Sequence, residues 1–188
     1  MTNFTDLKAS FSLPDIKRAS LLETVIQALI DAGATGQGAT VAEIDAVADM
    51  SAQVVAPATG NLSLTAALHG NRVVYYDDAD GVISLPAATG SGYVYKVVIK
   101  TQLTTGSIEG LTATATFLGG LGGVDADADT ALAYDAVAGD NTITGGTATG
   151  GQPGDWFEFL DIATNLYIVS GFVTQSGGSE ATPFSAAS

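Results

Sequence analysis

From Asn61 onward, turn-forming residues interrupt short runs of β-forming residues about every 8 to 12 positions. The clearest runs are RVVYY at 72–76, YVYKVVIK at 93–100, DWFEFLDIA at 155–163 and LYIVSGFVTQ at 166–175, and a turn at Thr164 and Asn165 is predicted between the last two. Short strands joined by glycine-rich turns are typical of β-sandwiches and β-barrels. We therefore expect a mainly β, sandwich or barrel-like body, and strand spacing leaves both architectures open.

The composition is consistent with a body of this kind. The chain has 188 residues, of which 46% are hydrophobic, only 14% are charged and 23 are glycine. It contains no cysteine, which excludes disulfides, thiolate nucleophiles and cysteine-based metal sites. A core without disulfides has to be stabilised by packing or by oligomerisation.

Two segments with helical periodicity precede the β pattern. Between residues 15 and 32, apolar residues recur at helical spacing, with Asp15 as a candidate N-cap and Gly33 just after the last turn. A second, shorter helix is predicted by the capping-box pattern of Thr40 and Glu43.

The first 15 residues are predicted to be extended, because Pro14 disfavours a helical conformation at the residue before it. We assign residues 1–36 to an N-terminal arm and helix, 37–60 to a linker and a short acidic helix, and 61–188 to the β body. An arm of this kind needs another surface to cover its apolar side chains.

Charge is unevenly distributed along the chain. The net charge is −14, and residues 101–188 hold ten acidic residues and no basic one, whereas Lys8, Lys17 and Arg18 are half of all basic residues. Phosphate contacts require Lys or Arg, so the acidic body argues against a nucleic-acid partner.

No stretch of the sequence predicts a membrane partner. The longest strongly apolar run, LLETVIQALI, is well short of the roughly 20 residues of a membrane span. The N-terminus also lacks the basic-then-apolar order of a signal peptide. We expect a soluble protein made in the cytoplasm.

The run ISLPAATGSGYVYKVVI, residues 83–99, predicts a hairpin of two strands joined by a sharp corner. Pro86 lacks a backbone donor and should end the first strand, and the segment from Thr89 to Gly92 supplies positive-φ freedom. Alternation along the second strand places Tyr93, Tyr95, Val97 and Ile99 on one face and Val94, Lys96 and Val98 on the other. Both faces are largely apolar, which predicts burial on both sides, within the body or against a neighbouring subunit.

Three stretches together resemble a family of tailed-bacteriophage virion proteins, variously head decoration proteins, head fibres or structural proteins. They are ATVAEIDAVADMSAQVV, NLSLTAALHGNRVVYYDDADGVISLPAATGSGYVYKVVI and DWFEFLDIATNLYIVSGFVTQSGGSEATPFS, which cover roughly residues 39–100 and 154–185. The LPAATGSG corner is the most specific part of the resemblance. Residues 101–150 match only in their general pattern of short β-type runs and turns, and the N-terminal helix is not included. The resemblance implies a virion location and a non-enzymatic role.

Candidate catalytic residues are few. The single His69 has no cysteine or G-x-S-x-G serine to activate, so we interpret it as a turn or surface histidine. Asp77, Asp78 and Asp80 in DDADG are explained by β-turn chemistry, with a glycosidase-type carboxylate pair or Ca²⁺ binding as the alternative. We assign no catalytic residue and no cofactor.

The run VDADADT is the most metal-like stretch of the sequence. Asp125, Asp127 and Asp129 stand at positions 1, 3 and 5 of an EF-hand-like loop, but Thr130 and Ala136 stand where that loop needs Gly and Glu. We expect an exposed loop and treat the three aspartates as weak calcium candidates only.

An aromatic cluster spans the last predicted hairpin and comprises Trp156, Phe157, Phe159 and Tyr167. Alternation predicts core packing on one face of the strand and rim residues on the other, with a sugar-binding platform as the alternative.

These observations predict a capsid decoration, or cement, protein that binds the outer surface of the assembled head through the major capsid protein. A head fibre or tail-associated adhesin that binds host glycans is the alternative, disfavoured because the sequence shows no repeat of fibre type. The predicted capsid-docking residues are Phe4, Leu7, Lys8, Phe11, Leu13, Lys17 and Arg18. The predicted contacts of a homotrimer are Leu22, Ile26, Ile44 and Val47.

Overall fold

The computed structural model describes residues 54–112 and 114–186. Within these residues the chain forms twelve strands and one helix of a single turn, α1 at Ala66–His69. The strands are β1 Val54–Ala58, β2 Leu62–Ser63, β3 Arg72–Tyr76, β4 Val82–Leu85, β5 Val94–Ile99, β6 Ser107–Gly110, β7 Thr116–Asp125, β8 Thr130–Asp135, β9 Thr142–Thr144, β10 Trp156–Ala163, β11 Leu166–Gln175 and β12 Phe184–Ser185. The two predicted N-terminal helices lie outside the described residues.

The strands form two sheets. The larger sheet has the order β1-β3-β5-β10-β11-β7-β8, and the smaller has the order β12-β9-β6-β4-β2. Buried side chains of both sheets belong to one hydrophobic cluster, as expected for two sheets packed face to face. The prediction of a mainly β body is confirmed, and the architecture is sandwich-like.

The first six strands alternate between the two sheets and pair in parallel. Strands β1, β3 and β5 are neighbours in the larger sheet, and β2, β4 and β6 are neighbours in the smaller one. Paired residues such as Arg72 and Tyr95 lie 18 to 25 positions apart, so the chain makes three successive coils. Parallel strands need a crossover, and here each crossover contains a strand of the opposite sheet.

This coiling corrects one prediction about the LPAATGSG corner. Strands β4 and β5 do not pair with each other, because they belong to different sheets. The corner therefore carries the chain across the sandwich rather than closing a hairpin. Its local features are as predicted: β4 ends at Leu85, immediately before Pro86, and Gly90 and Gly92 have φ values of 83° and 75°.

The remainder of the body is mostly antiparallel. Strands β10 and β11 form a hairpin at the centre of the larger sheet, and their turn at Thr164 and Asn165 is the predicted one, with Asn165 at φ 60°. Strand β11 then pairs in parallel with β7, which forms a hairpin with β8. Strand β1 starts at Val54, so residues assigned to the linker take part in the larger sheet.

Aromatic side chains fill the centre of the core. The rings of Phe117 and Phe159 lie 5.4 Å apart, and Tyr167 meets both of them edge-on. Phe157, Phe159 and Tyr167 are fully buried, whereas Trp156 lies on the opposite face of the sheet. The predicted division of the aromatic cluster into core and rim is confirmed. On β5, Tyr95, Val97 and Ile99 are buried, and the other face is only half-buried.

Strand β7 is rich in glycine because β11 lies close against part of it. A Cβ atom at Gly119 or Gly123 would lie 2.3 Å from the carbonyl oxygen of Val169 or Val173. A Cβ atom at Gly122 would meet no atom within 4 Å. The strand therefore contains glycines that packing requires beside one that it does not.

We expect Gly122→Ala and Gly123→Ala to have opposite effects on the free energy of unfolding. The first adds a side chain in open space and should stabilise by roughly 0.5 kcal/mol, since glycine in a strand has an entropic cost. The second forces backbone apart and should destabilise by about 2 kcal/mol or more. Urea unfolding of both variants at high dilution, where contacts between copies do not contribute, is the measurement, and equal effects would contradict this account of β7.

Candidate functional site

On the core side of strand β10, two buried carboxylates lie on either side of the core aromatic residues along the chain. Asp155, Phe157, Phe159 and Asp161 alternate along one face, and the two aspartates are only 1% and 2% exposed. Alternation predicts an apolar residue at each of these positions. A buried charge at such a position has to be hydrogen-bonded, so the donors around each aspartate show its role.

The LPAATGSG corner supplies the donors for Asp161. The backbone N–H groups of Thr89, Gly90 and Ser91 donate to its carboxylate at 2.9, 2.6 and 3.2 Å. The hydroxyl groups of Ser91 and Thr89 donate at 2.6 and 3.3 Å. Gly90 lies in the left-handed region at φ 83°, a conformation that residues with a side chain rarely adopt, which explains the glycine in this motif.

Further hydrogen bonds fasten the corner to the β10–β11 hairpin. The backbone N–H of Asp161 donates to the Tyr93 carbonyl at 3.0 Å, and the N–H of Gly92 donates to the Asp161 carbonyl at 2.9 Å. The Tyr167 hydroxyl donates to the Pro86 carbonyl at 2.8 Å. The corner therefore joins two parts of the body, the β4–β5 connection and the β10–β11 hairpin, that are more than 70 residues apart at Thr89, Gly90 and Asp161.

Burial raises the pKa of Asp161, but the hydrogen bonds from Ser91, Gly90 and Thr89 outweigh it. The net effect holds the pKa below its ordinary value. The carboxylate consequently stabilises the fold above the unfolded-state pKa, and this contribution is lost as the pH falls through the folded-state pKa.

At the other end of β10, Asp155 holds a second glycine-containing loop. Its carboxylate accepts N–H groups from Gly151, Gln152 and Thr174 at 2.8, 2.9 and 3.0 Å. Here burial dominates and raises the pKa in spite of these bonds. Ionising Asp155 therefore costs stability, and this cost is absent below the unfolded-state pKa and complete above the folded-state pKa.

The DDADG aspartates form the predicted turn, between β3 and β4. Asp78 accepts the N–H groups of Gly60, Asp80 and Gly81 at 2.8, 2.9 and 3.0 Å. These backbone hydrogen bonds, chiefly that from Asp80, lower the pKa of Asp78.

The two other carboxylates of DDADG bind the segment after β5. Asp77 contacts Lys100 and the Thr101 hydroxyl, and these hydrogen bonds, Lys100 first, lower its pKa. Asp80 accepts the hydroxyls of Thr104 and Thr105, which lower its pKa in the same order. The three aspartates thus tie successive coils together.

The calcium candidates lie at the β7–β8 turn. Asp125 is buried and accepts the Asp127 N–H at 2.9 Å, and Asp127 accepts the Gly177 N–H at 2.7 Å. Asp129 occupies the left-handed region at φ 53°. Among the described residues no group of three or more acidic, histidine or cysteine side chains is arranged to hold a metal ion. The predicted exposed loop is wrong for Asp125, which is the buried last residue of β7, and the exposed turn comprises only residues 126–129. Hydrogen bonds account for both Asp125 and Asp127.

His69 is buried, which corrects its interpretation as a turn or surface histidine. It ends helix α1, and its Nδ1 atom accepts the Thr65 N–H at 2.9 Å. Burial lowers its pKa, and the nearby Arg72 guanidinium acts in the same direction. The neutral ring is a helix-capping partner in the fold.

On the outward face of the larger sheet, Trp156 and Lys96 are in contact. The Lys96 ammonium lies 4.5 Å from the centroid of the indole ring and 3.9 Å from the Glu158 carboxylate. One side of the indole is therefore already occupied by a cation, which leaves less of the ring for stacking against a sugar.

The structure does not test the predicted docking and trimer-contact residues. All of them lie in residues 1–53, outside the described residues; the docking set is Phe4, Leu7, Lys8, Phe11, Leu13, Lys17 and Arg18, and the trimer set is Leu22, Ile26, Ile44 and Val47. They stay predictions.

Comparison with protein-family models, with curated proteins and with solved structures finds no match to this chain. In the part of the chain that the structure describes, no helix is long and apolar enough to cross a membrane.

Sequence reasoning missed the two buried aspartates on the core side of β10, one just before the strand and one within it. The available signal was their spacing, since Asp155 and Asp161 share the alternation of Phe157 and Phe159 and so fall on the core face. A carboxylate in register with core aromatics requires donors, and glycine-containing loops are a common source of free N–H groups.

We expect Asp161→Asn to destabilise the fold by about 2–4 kcal/mol at neutral pH, because the amide places its own donors against those of the corner. The difference from the unmodified protein should shrink as the pH falls through the folded-state pKa of Asp161, where its carboxyl becomes protonated. Thermal unfolding between neutral and acidic pH measures it. Asp135→Asn, on the exposed side of β8, is the control and should change stability by no more than about 0.5 kcal/mol. A difference that does not vary with pH would contradict this account.

We expect calcium to leave the melting temperature unchanged, because oxygen atoms of Asp125 and Asp127 are already hydrogen-bonded within the fold. The test compares unfolding in a chelator with unfolding in about 1 mM Ca²⁺, a concentration that fills weak extracellular-type sites. A calcium-dependent rise that Asp125→Asn abolishes would instead establish a site at this turn.

Proposed function

We propose that this protein is a bacteriophage capsid decoration protein that binds the outer surface of the assembled head and stabilises it. Its partner is the major capsid protein, and it acts as a homotrimer on the capsid exterior. It is a structural protein without catalytic activity.

The observation that carries the proposal is the meeting of the two stretches on which the phage resemblance rests. The LPAATGSG corner and the stretch that begins at Asp155 are far apart in sequence, yet Asp161 of the second binds Thr89, Gly90 and Ser91 of the first. The features that resemble the virion family are therefore those that build a stiff scaffold. A scaffold of this kind suits a protein that reinforces a lattice.

The carboxylates of the body support a structural role. Asp77, Asp78, Asp80, Asp155 and Asp161 each accept hydrogen bonds that hold turns or strands together. A general acid or a nucleophile has to face its substrate rather than the fold. These aspartates contribute to rigidity, which a cement protein requires.

The arm of residues 1–18 is the proposed capsid-docking segment. Extended segments gain affinity by adding strands to exposed sheet edges and by covering large areas. A protein that binds only the assembled lattice stabilises that lattice by mass action. The basic side chains Lys8, Lys17 and Arg18 give the arm a charge of the opposite sign to the acidic body.

One structural feature favours the alternative of a head fibre or tail-associated adhesin. The three coils formed by β1 to β6 are a short version of the stacked repeats that elongated proteins use. The two functions differ in where the protein binds and in how many copies bind, so a binding experiment separates them.

We expect purified protein to bind expanded, undecorated capsids at on the order of hundreds of copies per particle, because a cement protein occupies every equivalent lattice site. Deletion of residues 1–18 should abolish this binding and leave the circular dichroism spectrum of the β body unchanged. Copy number is measured by quantitative gel analysis of sedimented particles. Occupancy restricted to vertices, or binding to host cells instead, would support the fibre or adhesin, and full binding by the truncated protein would refute the arm.

A further inference from the structure

The outward face of the larger sheet carries two apolar rows that run across its strands. In the first row, strand register places Tyr75, Val98, Trp156 and Phe172 side by side. In the second row, it places Val94, Leu160, Ile168 and Leu118 side by side. We call these eight residues the outer face.

Large side chains of the outer face are open to solvent. Phe172 and Leu118 are both 41% exposed, and Tyr75 and Ile168 are both 36% exposed. Isolated apolar residues are normal on a protein surface, but contiguous apolar rows mark an interaction site.

The middle of the outer face carries a net charge of only −1 in a strongly acidic body, since Lys96, Glu158 and the exposed Asp135 of β8 share one cross-strand row. Between the two rows lie Lys96 and Glu158, which pair with each other at 3.9 Å. Residues 54–186 contain 13 acidic and three basic residues, so most other surfaces of two copies repel each other. At the outer face two copies would meet with less of that repulsion, because Asp135 is the one charge in this row outside the Lys96–Glu158 pair.

Large aromatic side chains at Trp156 and Phe172, here called the ridge, lie beside a flat area of small residues at Gly122 and Ala133, here called the floor. The first row continues from Phe172 to Gly122 and Ala133, where large side chains end. Gly122 is exposed and nothing lies within 4 Å of its Cβ position. The aromatic ridge of one copy thus has a complementary shallow surface on the next, as a closed ring of identical subunits requires.

The area of this surface is sufficient for an association of copies. Six strands spaced about 4.8 Å apart, with rows spanning five residues at about 3.4 Å each, give a sheet area of roughly 500 Å². That is the size of the largest functional patches on monomers and more than half of one partner's share of a standard interface.

We propose that the outer face packs against a second copy of this chain, with Phe172 of one copy on the Gly122 floor of its neighbour. The inference rests on the self-association included in the proposed function and assigns it to a surface of the β body. Trp156 lies within this surface and loses its exposure to solvent when two copies associate.

Trp156 is the only tryptophan of the chain, so its fluorescence reports on this surface alone. We expect the emission of the full-length protein to shift to longer wavelength on dilution, over the same concentrations at which sedimentation shows a discrete oligomer dissociating. Phe172→Lys should give the diluted spectrum and the mass of one chain, 18.9 kDa, at every concentration. Ile168→Lys, on the second row, should do the same.

The matched control is Val137→Lys, which makes the same charge change at a side chain that is 64% exposed in a loop outside the outer face. It should associate like the unmodified protein, and thermal unfolding should show that all three variants are folded. A protein that is monomeric at all concentrations, or folded Phe172→Lys and Ile168→Lys variants that associate normally, would overturn the proposal. Capsid binding is scored separately by copy number, so loss of self-association is distinguishable from failure of the decoration function.

Discussion

The rest of the body depends on the burial of the Asp161 carboxylate among the N–H groups of the LPAATGSG corner. An uncompensated charge in the core would be strongly destabilising, and here three backbone donors and two hydroxyls offset that cost. The contact joins the coiled first half of the body to the antiparallel second half. Asp155 does the same for a second loop at the other end of strand β10, so this strand is fixed at both ends.

This arrangement separates the stiff interior from the surfaces that are free to bind. The aspartates that suggest acid–base or metal chemistry in the sequence serve as acceptors for turns and crossovers, notably Asp78 and Asp125. Of the exposed side chains, those in the apolar rows of the larger sheet, with Phe172 and Ile168 among them, form a contiguous surface for recognition. Adhesion between protein surfaces is the activity that such a distribution favours, and it is the common element of the decoration function and the self-association proposed for this protein.

Much of the fold could be predicted from alternation and turn chemistry. Strand β3 occupies the residues 72–76 that its β-forming composition indicated, the β10–β11 turn lies at Thr164 and Asn165, and β4 ends directly before Pro86. The pairing of strands could not be predicted from the sequence, and the predicted hairpin around the LPAATGSG corner was wrong, because β4 and β5 belong to different sheets. Alternation assigns side chains to faces, but a parallel pairing between strands about 20 residues apart leaves no local signal.

The sequence by itself determined the short strands, their inward and outward faces and the positions where backbone must turn, because φ and ψ preferences and hydropathy are properties of neighbouring residues. Only the tertiary structure decided which sheet each strand joins, that Gly123 has to be glycine, and that Asp161 is buried rather than exposed. The physical reason is distance along the chain. The donors of Asp161 lie 70 to 72 residues away from it, and no local preference can specify a partner that only the assembled sandwich brings within hydrogen-bond distance.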